Sequence, residues 1–190
     1  MNDGLDTLGS LSEPEPAQSP RRADHLARIL LIPLALALVA VVLVFYVAFS
    51  ALQVEGQSMW PTLHTQDRLL LTHSYPAAQR GDIVVIRLRT DTGETEIIKR
   101  VIALPGDSVE IRADVAYVNG KAEPRRGQVI VPELAVDVAA QVIPDGTLYV
   151  MGDNRAVSED SRYIGTVPLS GIVGKAVAVF SPIDRVRLLR

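Results

Sequence analysis

The sequence predicts a mainly β-sheet domain that is carried by one N-terminal transmembrane α-helix. Three observations support this fold class. Residues 29–52 form an uncharged apolar stretch, and after residue 53 short runs rich in Val and Ile alternate with turn sequences. No segment after residue 53 has the periodicity of an amphipathic helix. We therefore divide the chain of 190 residues into an N-terminal region 1–28, a membrane span 29–52 and a β-rich domain 53–190.

The apolar stretch at residues 29–52 is long enough to cross a bilayer. As a helix it would extend roughly 36 Å, against about 30 Å of hydrocarbon. It lacks the polar stripe of a buried soluble helix and is longer than the apolar core of a signal peptide. Ala48-Phe49-Ser50 resembles a small-x-small cleavage site, so removal of the segment is the alternative.

The charges that flank the span predict its orientation. Arg21, Arg22 and Arg28 precede it, whereas Arg68 is the only Lys or Arg in the twenty residues that follow it. Because positive residues remain on the cytoplasmic side, the N-terminus is expected in the cytoplasm and residues 53–190 on the outer side of the cell membrane. Residues 1–28 are expected to be disordered, since the first twenty are acidic, rich in Pro and Ser, and without periodicity.

Apolar runs and turn signals predict the strands of the outer domain. Asn119-Gly120 fits a two-residue type I′ hairpin after the run Val115–Val118, because both central residues of that turn need positive φ. The other predicted strands are Arg68–Thr72, Ile83–Leu88, Glu96–Leu104, Ser108–Ile111, Val129–Val131, Thr147–Met151 and Ile172–Phe180.

Composition excludes several classes of function. The chain contains no Cys, which excludes disulfides, a thiolate zinc site and a cysteine nucleophile. Its three His residues are too scattered to favour a metal site. The formal net charge of −3 gives no basic field for nucleic acid.

Three segments carry possible chemistry. Ser58 lies between Gly56 and Pro61, which restrict the backbone, although a plain linker turn would look the same. Lys99 interrupts an apolar strand, and it is either a lysine whose amine reaches water or a desolvated amine with a lowered pKa that could act as a base. The polar block 151–162 is either an exposed loop or a buried network.

Taken together, and in this order after a single span, these segments resemble a bacterial type I signal peptidase. The resemblance covers residues 29–181, and the short chain with one span is similar to the compact members of Gram-positive bacteria. The matching segments are Ser58–Thr62, Arg80–Val85, Lys99–Asp107, Gly152–Arg155, Ser158, Asp160–Arg162 and Ile172–Ala176.

The resemblance implies a role for each residue of the site. Ser58 would be the nucleophile and Lys99 the general base, and the backbone N–H of Ser58 would donate to the oxyanion. Larger relatives add a serine hydroxyl two residues earlier; here that position is Gly56, so the second donor would be the Gly56 backbone or a water molecule. Ser158 would orient the lysine amine, supported by Arg100, Asp153, Arg155, Asp160 and Arg162. Substrate pockets would be lined by Val54, Met59, Leu63 and Ile98.

The implied activity is the removal of signal peptides from secretory preproteins at the membrane surface, by cleavage after small residues of the Ala-x-Ala type. It requires no metal or cofactor, and the expected partners are the preproteins and the lipid bilayer. Two alternatives are a self-cleaving repressor-type Ser-Lys protease and a non-enzymatic, membrane-anchored β domain that binds a partner.

Overall fold

A computed structural model describes residues 21–73, 77–90, 93–124 and 126–189, so the disorder expected for residues 1–20 lies outside the described residues. The chain folds as two units, Met1–Leu43 and Val44–Arg190. In the described residues the first unit is helical, and most of the regular secondary structure of the second is β-strand. This architecture confirms the predicted fold class.

Helix α1 spans Arg21–Ala48, and its part Arg28–Ala48 is long and apolar enough to cross a membrane. It starts within the region expected to be disordered and ends four residues before the predicted end at residue 52. It starts early because residues 21–28 are mostly good helix formers. It ends early because Phe49–Gln53 pair with a neighbouring strand, and the Ala48 carbonyl accepts a hydrogen bond from the His73 N–H at 3.0 Å.

Twelve strands form two sheets in the described part of the chain. The larger sheet has the order β1-β2-β11-β3-β4-β9-β10, with β12 beside β11, and the smaller has the order β7-β6-β5-β8. The strands are β1 (Phe49–Gln53), β2 (Arg68–Thr72), β3 (Ile83–Thr90), β4 (Gly93–Ala103), β5 (Ser108–Arg112), β6 (Val115–Val118), β7 (Lys121–Ala122), β8 (Val138–Val142), β9 (Thr147–Met151), β10 (Val167–Pro168), β11 (Ile172–Ser181) and β12 (Arg187–Leu188). Short helices lie at α2 (Ser161–Ile164) and, as 3₁₀ turns, at Pro132–Leu134, Leu169–Gly171 and Ile183–Arg185.

Most of the predicted strands are confirmed, and one is wrong. Val129–Val131 makes only an isolated bridge, between Val129 and Asn154, because Pro132 directly follows and starts a 3₁₀ turn. The strand that pairs with β5 at this edge is β8 instead. The predicted hairpin turn is confirmed, since Asn119 and Gly120 have φ values of 51° and 77° and Val118 pairs with Lys121.

A buried apolar cluster anchors the loop between β1 and β2. Val54, Met59 and Leu63 in this loop are at most 3% exposed and pack against buried side chains of β2, β3 and β11. The cluster consists of Val54, Met59, Leu63, Leu69, Leu71, Ile83, Val85, Ala176 and Val179. A loop that would otherwise be mobile is thereby held against the sheet.

Candidate active site

Ser58 lies in the loop between β1 and β2, half-buried at the surface of the domain. The loop is closed at its base by two backbone hydrogen bonds, from the Val54 N–H to the Asp67 carbonyl at 2.8 Å and from the Gln66 N–H to the Val54 carbonyl at 2.9 Å. A helical turn follows Ser58, in which the Leu63 N–H donates to the Met59 carbonyl at 2.8 Å. We refer to residues 54–67 as the serine loop.

Ser58 and Lys99 line the same groove, which has a volume of about 460 Å³. Two segments line it, residues 52–56 with 58 and 59, and residues 94–99. These belong to β1 with the serine loop and to β4, which are separated by three strands in the order of the sheet. The sheet therefore curls enough to bring a serine and a lysine, 41 residues apart in the sequence, to one groove.

Lys99 is almost completely buried, with 4% of its surface exposed. Burial lowers its pKa below the ordinary value, because an ammonium ion loses hydration in the interior. The nearby carboxylates of Asp160 and Glu159 oppose this shift, and Arg162 adds to it. The net effect is a lowered pKa, so the neutral amine, which is the form that accepts a proton, is easier to reach than in a free lysine.

Ser158 is also buried, with 3% of its surface exposed. Its hydroxyl has no hydrogen-bond partner among the described residues. A buried hydroxyl without a hydrogen-bond partner is unusual in a folded protein. It indicates that a further hydrogen-bonding group is expected beside it.

Gly152 lies close to both the Ser158 hydroxyl and the serine loop. A Cβ atom at this position would lie 2.3 Å from Ser158 Oγ and 2.5 Å from the Ser58 carbonyl oxygen, so only glycine fits without displacing one of them. The neighbouring Asn154 N–H donates to the same Ser58 carbonyl at 2.9 Å. The polar block after β9 thus holds both serines at a close approach.

Arg100 and Asp153 form a buried, bidentate ion pair beside these residues. Arg100 Nε and Nη2 donate to the two Asp153 carboxylate oxygens at 2.8 Å and 2.6 Å, and Nη1 donates to the Gly81 carbonyl at 2.7 Å. Asp153 also accepts a hydrogen bond from the Thr62 hydroxyl in the serine loop. Arg100 follows Lys99 in β4. The Arg100–Asp153 pair therefore joins the strand that carries Lys99 to the serine loop.

A second buried network supports the polar block. Asp160 accepts from the Gly152 N–H at 2.9 Å and from Arg162 Nε at 2.8 Å. Arg162 also donates to Asp114 at 2.6 Å and to the Ser158 carbonyl at 3.1 Å. Arg155 Nε donates to the Gly152 carbonyl at 2.9 Å, which closes this network around the glycine.

Most residues singled out in the sequence therefore lie together. Ser58, Lys99, Val54, Met59, Ile98 and Gly56 line the groove. Leu63 does not, because it is fully buried beneath the serine loop and packs in the apolar cluster. In the described part of the chain, no group of three or more His, Asp or Glu residues is placed to hold a metal ion.

Sequence reasoning missed four participants that are close only in space. Asp114 forms an ion pair with Arg162, and Glu123 forms one with Arg155. The distance from guanidinium nitrogen to carboxylate oxygen is 2.6 Å in each pair. Asp67 and Arg185 pair at the base of the serine loop. No local pattern distinguishes these residues from ordinary surface charges, so the sequence offered no signal for them.

Comparisons with known proteins identify the family. The signal peptidase, peptidase S26 family matches residues 26–181. Signal peptidase I of Bacillus amyloliquefaciens is 38% identical over 170 residues, covering 83% of this chain and 85% of that protein. Signal peptidase I T of Bacillus subtilis (strain 168) is 36% identical over 164 residues, covering 80% and 84%.

The chain is also similar to a crystal structure of a signal peptidase I from Enterococcus faecalis V583, with 30% sequence identity, a TM-score of 0.44 and coverage of 54% of this chain and 98% of that one. The family match extends from the membrane helix through β11, and it confirms the resemblance that the sequence motifs indicate. The chain therefore belongs to the signal peptidase family, peptidase S26, whose members are serine peptidases that remove signal peptides.

Proposed function

We propose that the chain cleaves secretory preproteins with Ser58 as nucleophile and Lys99 as general base. The observation that carries this proposal is the shared groove, which is lined by both a half-buried serine and a desolvated lysine. A serine hydroxyl is a weak nucleophile unless a base removes its proton, and a neutral lysine can do so.

The proposed reaction is acyl transfer in two steps. The Lys99 amine takes the Ser58 proton as Oγ bonds to the scissile carbonyl carbon, and the resulting ammonium then gives that proton to the leaving amine as the peptide bond breaks. In the second step the neutral Lys99 amine takes a proton from a water molecule, while the water oxygen attacks the carbonyl carbon of the ester formed on Ser58. The ester bond breaks, and the proton returns to Ser58.

Ser158 and the backbone would stabilise this chemistry. A buried hydroxyl without a partner among the described residues can bond the Lys99 amine and fix its direction. The backbone N–H of Ser58 is the donor we assign to the oxyanion, with Gly56 beside it in the groove. The Arg100–Asp153 pair keeps the two halves of the site together.

The groove fits an extended substrate segment. Among the described residues β4 pairs with β9 only from Arg100 onward, so the edge of residues 94–99 opposite β3 is unpaired. β1 is the terminal strand of the sheet and contributes a second open edge. A bound segment can add as a strand here, and the apolar side chains of Val54, Met59 and Ile98 favour small apolar residues of the Ala-x-Ala type.

We further propose that the domain works at the outer surface of the cell membrane. The apolar helix ends at Ala48 and the nucleophile is Ser58, so the site stays within a short tether of the span. A preprotein held in the same bilayer by its own apolar segment would then be presented at a raised effective concentration. The positive charges at the N-terminal end of the helix, ahead of its apolar part, support the cytoplasmic placement of the N-terminus.

Cleavage of a preprotein with an Ala-x-Ala site, in detergent micelles, tests the proposal. Ser58→Ala and Lys99→Ala are expected to abolish cleavage, while the control variants Ser170→Ala and Lys121→Ala, which change exposed residues outside the groove, keep the wild-type rate. Cleavage retained by Ser58→Ala would reject the nucleophile, and cleavage retained by Lys99→Ala would reject the base. If the folded wild type cut nothing, the non-enzymatic alternative would replace the proposal.

A further inference from the structure

The serine loop is held on one side by a segment from the far end of the sequence. Residues 182–189 follow β11, form the 3₁₀ turn Ile183–Arg185, and return as β12 alongside β11. The Leu189 N–H donates to the Val177 carbonyl at 2.9 Å, and the Leu189 side chain packs against the apolar cluster beneath the loop. We call residues 182–189 the clamp segment.

Arg185 of the clamp segment binds Asp67 at the base of the serine loop. Its Nε and Nη2 atoms donate to the two carboxylate oxygens at 2.7 Å and 2.9 Å, and Asp67 is 1% exposed. The same carboxylate accepts the His64 N–H at 2.9 Å, and the Asp67 carbonyl accepts the Val54 N–H. Asp67 therefore links the two ends of the loop by hydrogen bonds, and its carboxylate is fixed by the ion pair with Arg185.

Arg187 reaches the middle of the same loop. Its guanidinium donates to the carbonyl of Thr62, and the Thr62 hydroxyl donates to Asp153. Asp153 in turn holds Arg100, the neighbour of Lys99 in β4. A continuous series of contacts thus runs from the clamp segment through the serine loop to the lysine strand.

Asp67 is charged in this arrangement. Burial favours its neutral acid, but the Arg185 guanidinium and the His64 N–H outweigh burial and hold the pKa of the carboxyl below its usual value. Without Arg185, a buried carboxylate at the base of the loop would lose its counter-charge, and the loop would have to rearrange to hydrate it.

We propose that Arg185, assisted by Arg187, is a positioning residue for the cleavage reaction. It keeps the serine loop in the arrangement that brings Ser58 to the groove that Lys99 also lines. This inference rests on the proposed roles of Ser58 and Lys99. Reaction rates depend steeply on such placement, since a displacement of about 1 Å can cost a hundredfold in rate.

Steady-state kinetics of the full chain in micelles test this proposal. Arg185→Gln is expected to lower kcat by about 10- to 100-fold with KM and the pH midpoint of kcat/KM unchanged, because the groove and the surroundings of Lys99 remain. Arg185→Lys keeps the charge without the two-pronged geometry and is expected to recover part of the loss. Arg112→Gln, which breaks a bidentate pair with Glu110 on the small sheet, is the matched control and keeps the wild-type kcat.

Thermal unfolding of each variant separates positioning from folding, and rates are compared where all variants are folded. A wild-type kcat in Arg185→Gln, or a change in KM alone, would overturn the proposal. If Arg185→Gln fails to fold, a wild-type kcat in Arg185→Lys would overturn it. Ser58→Ala is measured in parallel. If Ser58→Ala still cleaves the substrate, the proposed nucleophile is rejected. If Ser58→Ala is inactive but Arg185→Gln has the wild-type kcat, only the positioning role of Arg185 is rejected.

Discussion

At the scale of single residues, the chemistry depends on polar side chains that are buried next to apolar ones. Lys99 is 4% exposed and Ser158 is 3% exposed, and burial lowers the pKa of the lysine. Ser58 differs, because it remains half-buried at the groove where a substrate can reach it. In the proposed mechanism the buried lysine, whose pKa is lowered, supplies the base, and the half-buried serine supplies the nucleophile.

Ser158→Ala tests how the amine is oriented. Because the Ser158 hydroxyl has no partner among the described residues, we expect its removal to leave thermal stability unchanged while kcat falls by about a hundredfold. Ser161→Ala is the matched control, since Ser161 is equally buried but its hydroxyl accepts the Val150 N–H at 2.9 Å. That change should cost about 1–3 kcal/mol of stability and keep the rate of the folded enzyme.

The outcome that would contradict this account is a wild-type kcat in Ser158→Ala. A large loss of stability in the same variant would also contradict it, because the hydroxyl would then have a structural partner. Rates and unfolding temperatures of the two variants, measured side by side, provide the comparison.

At the scale of elements, three segments build the site: the serine loop, β4 and the polar block after β9. An apolar run rich in Val and Ile predicts β4, and the restricted backbone around Ser58 draws attention to its loop, although a plain linker turn would look the same. The polar block was ambiguous, because only the tertiary fold decides whether such residues are solvated or buried. In the structure Asp153, Arg155 and Asp160 are at most 1% exposed.

Other features of these elements could not be predicted. The helix end at Ala48 depends on pairing of Phe49–Gln53 with β2, which hydropathy does not record. The Asp67–Arg185 pair joins residues 118 positions apart, and the sequence motifs contain neither residue as a site member. The resemblance implies a substrate-pocket role for Leu63, whereas in the structure this side chain is fully buried and packs in the apolar cluster.

Asp153→Ala tests the link between β4 and the serine loop. The change leaves the buried Arg100 guanidinium without its carboxylate, so we expect a loss of about 3–5 kcal/mol in the free energy of unfolding. Glu110→Ala removes the carboxylate of the exposed Arg112–Glu110 pair and should produce no measurable loss. Chemical denaturation of both variants measures the difference, and equal stabilities would show that the buried pair does not hold the site together.

At the scale of the whole molecule, the membrane helix leads directly into the edge strand of the catalytic sheet. Ala48 is the last residue of α1 and Phe49 is the first residue of β1. The groove begins at Leu52, within the same strand. This short connection is what would bring the site to a substrate held in the same membrane.

Site-directed labelling tests the proposed orientation. Because the chain contains no Cys, an introduced Cys is its only thiol and the only one that the reagent can label. We expect Glu133→Cys, at an exposed position of the domain, to react with a membrane-impermeant maleimide in intact cells. Ser10→Cys, before the helix, should react only after the membrane is permeabilised. The reverse pattern of labelling would place the catalytic domain in the cytoplasm and contradict the proposed site of action.

The most direct test of the central claim, that a neutral Lys99 activates Ser58, is the pH dependence of kcat/KM on a preprotein substrate. Protonated lysine cannot accept the serine proton, so activity is lost as pH falls through the pKa of Lys99 and is complete above it. Because burial lowers that pKa, we expect the midpoint of the rise well below the value of about 10.4 for a free lysine. A profile that is flat from acid to alkaline pH, or one whose midpoint lies at the pKa of a free lysine, would contradict the account.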